Sequence, residues 1–361
     1  MIDLAENGWL PDYLIRMGIR RLLAARIRQE RLQGDSSERA LEQVRLLKNS
    51  PIALATDQAN TQHYEVPAEF FKSVLGPRLK YSCCLYPHSS MTLGQAEECM
   101  LRLTCTRAEL EDGMKVLDLG CGWGSLSLWI AEHYPRCQVT ALSNSTGQRR
   151  FIEARANERG LDNIRVITAN ITNYVGDGNY DRVISVEMFE HLRNYETILA
   201  RLASWLRPEG KLFVHIFCHR EWVYTFDVTG HHDWMARHFF TGGLMPSFNL
   251  LGHFNRDLII RQRWQVDGRH YARTCEAWLR NLDANHANLI SLFATHFGRN
   301  SARIVLQRWR MFFMACAELF GFRGGTEWFV GHYLFEPRAN TKFSYQNDLN
   351  SEQRDSACWK W

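Results

Sequence analysis

Two carboxylates and an imidazole stand within five residues in Val186-Glu-Met-Phe-Glu-His191. Glu187 and His191 are four apart, so a helical turn would aim both at one side. Acids and a histidine grouped this closely suit proton handling on a bound substrate. Upstream, Val116-Leu-Asp-Leu-Gly-Cys-Gly-Trp-Gly124 places three glycines behind an apolar run. Such glycines let a backbone turn tightly and approach a ligand closely. A dinucleotide fingerprint would need a further glycine where Ser125 stands and an acid about twenty residues on, but the next apolar segment ends Leu142-Ser-Asn144. The spacing after Asp118 suits S-adenosylmethionine instead, whose amino-acid end needs backbone donors and carbonyls rather than a pyrophosphate cradle. Ser143-Asn-Ser-Thr-Gly-Gln148 offers neutral hydrogen-bonding groups to a ribose, and Asn170 with Ile171 offers an amide and an apolar wall to an adenine.

The chemistry these groups would serve is in-line displacement at a sulfonium methyl. An aliphatic amine is protonated at neutral pH and must lose a proton before it can attack. A nearby carboxylate attracts the cation, and a neutral imidazole can accept its proton. Most of the acceleration would come from positioning and desolvation.

Such residues need a scaffold that brings strand ends together. From Lys115 short apolar runs alternate with helical ones: strands at Val116 to Leu119, Gln138 to Leu142, Ile164 to Ile167, Asp181 to Val186 and Lys211 to Phe217 are separated by helices at Ser125 to Tyr134, Gly147 to Arg159 and Tyr195 to Leu206. This alternation predicts an α/β fold, a parallel, doubly wound sheet with ligands at the carboxyl ends of its strands. Upstream, helices are expected at Leu10 to Gln29, Ser37 to Leu47 and Gln95 to Arg107, with an irregular segment running through Tyr64 to Pro67 to a turn-rich stretch at Tyr81 to Pro87. After Phe217 comes an aromatic insertion from Trp222 to Phe240, then a strand at Leu258 to Val266, helices at Thr274 to Phe297 and Ser301 to Phe320, and a closing strand at Glu327 to Glu336. Trp222, Tyr224, Phe226, Trp234, Phe239 and Phe240 are candidates for an apolar box around an amine, with cation–π contact to an ammonium.

The chain has 361 residues, 45% of them hydrophobic and 23% charged, with a net charge of +4, which excludes disorder and a coiled coil. The near balance of charge argues against nucleic acid as a partner. An acidic amino-terminus and the lack of a long apolar run point to the cytoplasm. The helix from Leu10 to Gln29 is basic and amphipathic; a packed helix with a solvated arginine face is favoured over peripheral membrane contact. The ten cysteines show no CxxC pair and read as reduced core thiols, and His215 and His219 lack the partner cluster a metal would need, so no metal is expected. His231, His232, Asp233 and His238 read as surface or lid residues.

Taken together, Tyr81-Ser-Cys-Cys84, the glycine turn, Ser143 to Gln148, Val186 to Tyr195, His215-Ile-Phe-Cys-His219, Arg273 to Asn285 and Glu327-Trp328 resemble the coclaurine N-methyltransferase family, which groups with the cyclopropane fatty-acid synthases and mycolic-acid methyltransferases. The likeness runs from about Asp3 to Glu336. It implies a Rossmann-like class I S-adenosylmethionine-dependent methyltransferase, with a helical cover at 1–106, a core at 107–337 carrying a lid at about 219–325, and a polar tail at 338–361. The donor would be held by Tyr81, Ser82, Gly120, Cys121, Gly122, Ser143, Asn144, Gln148, Asn170 and Ile171. Glu187, Glu190 and His191 would form the catalytic group, and Tyr81, His215 and Trp328 would border a small, aromatic-bearing amine. A homodimer is left open. The family usually has Asp where Asn170 stands; lipid-modifying relatives usually carry Gly at the position of Glu187 and a bicarbonate-binding Tyr at that of Leu279. Those departures favour an amine over the alternative, methyl or methylene transfer to an unsaturated fatty-acyl lipid. A cofactor-binding protein without catalysis is a third reading.

Overall fold

The alternating segments after Lys115 build a seven-stranded sheet in the computed structural model, which describes residues 2–53, 66–227 and 233–338. Its strands are β1 (Lys115–Leu119), β2 (Gln138–Ser143), β3 (Ile164–Thr168), β4 (Tyr180–Val186), β5 (Leu206–His219), β8 (Leu258–Val266) and β9 (Trp328–Pro337); the short β6 (Tyr224–Thr225) and β7 (Leu244–Met245) pair separately. The order is β3-β2-β1-β4-β5-β9-β8, parallel from β3 to β5, with β9 antiparallel to both of its neighbours. The sheet is therefore mixed rather than wholly parallel. Because β9 is reversed, the chain between β8 and β9 leaves and returns at the edge where the other strands end, which sets that insertion above the ligand side.

Within the core, α6 (Ser125–His133), α7 (Thr146–Glu158) and α8 (Tyr195–Trp205) are the expected crossover helices. The amino-terminal part contains α1 (Ile2–Glu6), α2 (Asp12–Leu32), α3 (Ser36–Lys48), α4 (Ala68–Val74) and α5 (Leu93–Arg107). The helix α9 (Trp234–His238) lies between β6 and β7, and the insertion between β8 and β9 contains α10 (Gly268–Ala284), α11 (His286–Phe297) and α12 (Arg299–Gly321). Thr92 starts α5 with a capping box, its hydroxyl taking the Gln95 N–H while the Gln95 side chain takes the Thr92 N–H. Two expectations need correction. The helix expected from Thr274 to Phe297 starts at Gly268 and breaks at Asn285, whose amide donates to the carbonyls of Asn281 and Ser73 and so competes with helix continuation. The irregular stretch before Tyr81 includes the helix α4, which buries Phe70, Phe71 and Val74. Residues 54–65, 228–232 and 339–361, with the expectations for Tyr64, Glu65, His231, His232 and the tail, lie outside the described residues.

Much of the aromatic surplus is core. Phe70 of α4, Phe293 of α11 and Trp309 and Phe313 of α12 form one apolar cluster, and Phe239 stacks on Phe312 at 4.4 Å between ring centroids. Burying each such ring contributes roughly 1.5–3 kcal/mol. The basic helix α2 is packed through Ile15 and Ile27. Arg16 reaches Glu276 at 2.6 Å and Glu318 at 3.0 Å, and Arg26 reaches Glu30.

Candidate active site

Strand β1 is the switch point of the sheet: the chain runs through β2 and β3 on one side of it and resumes with β4 on the other. The turns that follow β1 and β4 are therefore neighbours, which is where an open α/β sheet binds ligands. Gly120 has φ +81, and a methyl group there would strike the Met188 side chain at 2.7 Å, so only glycine lets the two turns meet. Gly122, at φ +53, has no atom within 4 Å of where a Cβ would point and faces open space.

Two clefts join at this crossing, sharing Gly120, Gly122 and Glu187. The first, about 750 Å³, is lined by Ser143, Asn144, Gln148, Asn170, Ile171, Met188 and His191 among others. The second, about 590 Å³, is lined by Lys80, Tyr81, Ser82, Asp118, Cys121, Trp123 and Ser125. All ten residues expected to hold the donor line one cleft or the other. The polar groups fit such a ligand. Gln148 is buried, its carbonyl takes the Ser143 hydroxyl at 2.6 Å, and its Nε2 has no partner among the described residues. That orphan donor in the first cleft suits a ribose hydroxyl. In the second, Thr104 Oγ1, Trp123 Nε1 and Ser125 Oγ are buried, have no partner among the described residues and suit the amino-acid end.

The cover over the second cleft is held by Glu97 of α5. Its carboxylate, fully buried, accepts from the backbone N–H groups of Gly76, Arg78 and Lys80 at 2.8–3.1 Å. That clamp presents Tyr81, Ser82 and Cys83 to the crossing. Lys80, also buried, donates to the Ser82 hydroxyl and to the Cys83 carbonyl.

Glu187 sits at the junction in a left-handed conformation, φ +47, with its N–H bonded to the His215 carbonyl at 2.8 Å. Oε1 accepts from the Cys83 N–H at 2.9 Å and lies 3.1 Å from His215 Nε2, and Oε2 accepts from the Tyr271 hydroxyl. Burial raises its pKa from 4.5 to about 6, partly offset by the Lys80 charge and by the Cys83 and Tyr271 bonds. Glu190 differs. It is buried, lines neither cleft, and its Oε2 has no partner among the described residues; burial and the nearby Glu187 push its pKa well above the usual carboxylate range. The acidic pair thus divides into one carboxyl group at the cleft junction and one buried away from both clefts, each with its pKa raised by burial.

Glu187 and His191 do share a cleft wall, though not through an α-helical turn: only Phe189–His191 forms a 3₁₀ turn, and Glu187 stands outside it. The His191 ring meets Phe240 edge-on at 5.0 Å, Phe240 meets Phe226 at 4.8 Å, and Phe226 meets Tyr224 at 5.7 Å. Tyr224, Phe226, Trp234 and Phe240 of the expected box are partly exposed, whereas Trp222 and Phe239 are core. Two expected substrate neighbours lie deeper. His215 is fully buried between Glu187 and His332, and Trp328, 1% exposed, donates its indole N–H to Tyr224; neither lines a cleft. Tyr81 lines the second cleft. Tyr271 is missing from the sequence reading. It supplies a hydroxyl from eight residues before Leu279, which is packed in the core. No helix among the described residues is long and apolar enough to cross a membrane.

Residues 54–326 match the model of the mycolic acid cyclopropane synthetase family. The chain is 38% identical to (S)-coclaurine N-methyltransferase of Thalictrum flavum subsp. glaucum, over 92% of this chain and 94% of that one. The cyclopropane-fatty-acyl-phospholipid synthase of Escherichia coli (strain K12) is more distant, 28% identical over 66% of this chain and 60% of its own length. A crystal structure of coclaurine N-methyltransferase bound to N-methylheliamine and SAH superposes with a TM-score of 0.89, at 36% identity, covering 92% of this chain and 98% of that one. With the glycine crossing, the orphan donors and the Glu187 junction, these likenesses place the chain in the coclaurine N-methyltransferase family, as an S-adenosylmethionine-dependent N-methyltransferase acting on a small amine.

Proposed function

We propose that the substrate is an aromatic alkaloid-type amine whose nitrogen is held at the cleft junction, with Glu187 as the proton acceptor. The observation that carries this reading is the position of Glu187, which among the three residues common to both clefts brings an ionisable side chain to the junction, with its pKa raised to about 6. The bound S-adenosylmethionine supplies an electrophilic methyl on sulfonium. Glu187 attracts the ammonium form of the substrate and takes its N–H proton, which leaves the nitrogen lone pair free to attack. His191, with Phe240 against its ring, fixes the nitrogen's approach, and the chain of rings through Phe226 and Tyr224 receives the aromatic part. Glu190, buried and lining neither cleft, leaves Glu187 as the carboxylate that faces the amine. Residues 1–106 act as the cover, 107–337 as the core with the lid at about 219–325, and 338–361 as the tail, in a cytoplasmic enzyme.

The test is incubation with methyl-labelled donor and either a panel of cyclic aromatic secondary amines or vesicles of unsaturated phospholipid. Label should enter the amines, with a product one methyl heavier. Label confined to lipid, or flat aliphatic amines preferred over aromatic ones, would remove this reading.

A further inference from the structure

Behind Glu187 a row of polar side chains crosses the sheet. His215 on β5 and His332 on β9 are directly paired across the two strands, and Trp264 on β8 is paired with His332 in turn. His332 Nε2 lies 2.9 Å from His215 Nδ1, and Arg107, the last residue of α5, places Nη1 2.8 Å from His332 Nδ1 while its guanidinium covers Trp264 at 4.9 Å. With the 3.1 Å contact from His215 Nε2 to Glu187 Oε1, four side chains form one continuous line.

The chemistry of its far end gives this line a single direction. Arginine has donors only and keeps its proton, so Nδ1 of His332 must accept. A neutral imidazole that accepts at one nitrogen donates from the other. His332 therefore donates from Nε2 to His215 Nδ1, and His215 donates from Nε2 to Glu187. Both rings are fully buried and held neutral, their pKa values driven far down by burial and by the positive charges around them.

We propose that Arg107, through His332 and His215, is a remote positioning device that locks His215 as a donor to Glu187 and so makes Oε2 the oxygen that receives the substrate's proton. The proposal rests on the reading of Glu187 as base. Oε1 already takes two donors, the Cys83 N–H and His215, and its lone pairs are filled. Among the described residues Oε2 takes one, from Tyr271, which leaves it a lone pair. In the step itself the substrate N–H bond breaks, its electron pair stays on nitrogen, and the proton forms an O–H bond at Oε2. That proton cannot pass into the histidines, because every hydrogen in the line already points toward Glu187 and the line ends on a cation. It leaves through the cleft after the methylated product departs.

The groups facing Glu187 set the background for any pH effect: Lys80 and Cys83 from the cover, Tyr271 and Cys275 from α10, Glu190 and His191 from its own turn, and His215 from β5. His215 in turn feels Lys80, Arg107 and His332.

The first measurement is nitrogen-15 NMR of histidine in the intact protein, where His215 and His332 should both carry hydrogen on Nε2 and none on Nδ1. An Nδ1–H form of either would overturn the proposal without any kinetics. The second is the pH profile of kcat in Arg107→Met, which removes the donor, Arg107→Lys, which keeps one, and His332→Leu, which cuts the line with the arginine charge still present. Arg107→Met and His332→Leu should both move the acid limb upward by about one unit, lowering kcat about tenfold below pH 6, with the dissociation constant of S-adenosylmethionine unchanged and Arg107→Lys restoring the limb. An unmoved limb in folded Arg107→Met or His332→Leu refutes the device. The reading of Glu187 itself fails separately, by full activity of Glu187→Gln.

Discussion

Replacing Glu187 by Gln separates what the carboxylate costs the fold from what it does for the reaction. The amide is nearly isosteric: its carbonyl can keep the Cys83 and His215 donors, and its NH₂ can face a Tyr271 hydroxyl turned to accept. What disappears is a charge whose pKa is raised from 4.5 to about 6 in the folded protein. A raised acid is stabilised in its neutral form. Relative to the ionised state, that contribution is fully present below pH 4.5 and lost as pH rises through about 6. Ionised Glu187 therefore costs the fold about 2 kcal/mol at pH 8. The variant should match the parent near pH 4.5 and exceed it at pH 8 by about 2–3 °C in melting temperature for a chain of this size. The same change should lower kcat by about 10²–10⁴-fold, the usual contribution of a positioned base, while binding of S-adenosylmethionine stays within about threefold, about 0.6 kcal/mol. The assays are differential scanning fluorimetry without ligand across pH 4.5 to 8, and single-turnover methyl transfer. A variant less stable than the parent at pH 8, or one whose rate falls by less than about tenfold, a difference of about 1.4 kcal/mol, would refute the reasoning.

Further expectations concern the donor site. Glu97→Ala strands three backbone N–H groups at roughly 1–3 kcal/mol each, so the melting temperature should fall and S-adenosylmethionine titrated calorimetrically should bind weakly; unaltered affinity would show that the cover folds without this clamp. Asn170 Oδ1 is occupied by the Thr172 N–H and hydroxyl at 3.0 and 2.9 Å. Asn170→Asp keeps that turn and adds a second acceptor for an adenine amine, so donor affinity should rise about tenfold, and an unchanged calorimetric constant counts against adenine at this position. Glu187→Gly leaves the Cys83 N–H, the His215 N–H and the Tyr271 hydroxyl converging on a carboxylate-sized space, so formate or bicarbonate should restore part of the lost rate. Failure of both anions up to high concentration argues that the three donors do not form a pre-built anion site.

The sequence was most legible where local chemistry and position coincide. The glycine turn, the Ser143 to Gln148 segment and Asn170-Ile171 each follow a parallel strand, and strand ends in such a sheet converge whatever the rest of the chain does. Glu187 and His191 were found because they close the next strand. Tyr271, Lys80, Glu97, Arg107 and His332 carry no such mark. Tyr271 comes to Glu187 from 84 residues away and Arg107 to His332 from 225, through contacts that depend on how cover and insertion pack on the core. His215 was visible as a residue but not as a buried one, since a histidine near a strand end reads the same whether it lines a cleft or stands behind it. The one sign available for His332 was its place in an apolar strand, Trp328-Phe-Val-Gly-His-Tyr-Leu334, where a polar ring must find a buried partner.

Position 187 also joins backbone and side chain in one argument. A left-handed φ of +47 is strained by roughly 1–2 kcal/mol for a residue with a Cβ, and glycine would relieve it. The neighbouring turn at Gly120 shows why the strain persists: the close approach of the two turns, with a Cβ there clashing with Met188, leaves the chain after β4 little freedom to relax. Here the chain retains both the strained backbone and a desolvated carboxylate at one residue, two separate costs that packing alone does not call for. Both are accounted for if the Glu187 carboxylate must reach the cleft junction from this turn, since the left-handed turn carries its carboxylate between the Cys83 N–H, His215 and Tyr271. A proton acceptor fixed in this way has its three donors in place before substrate arrives, so little reorganisation remains for the step in which charge moves.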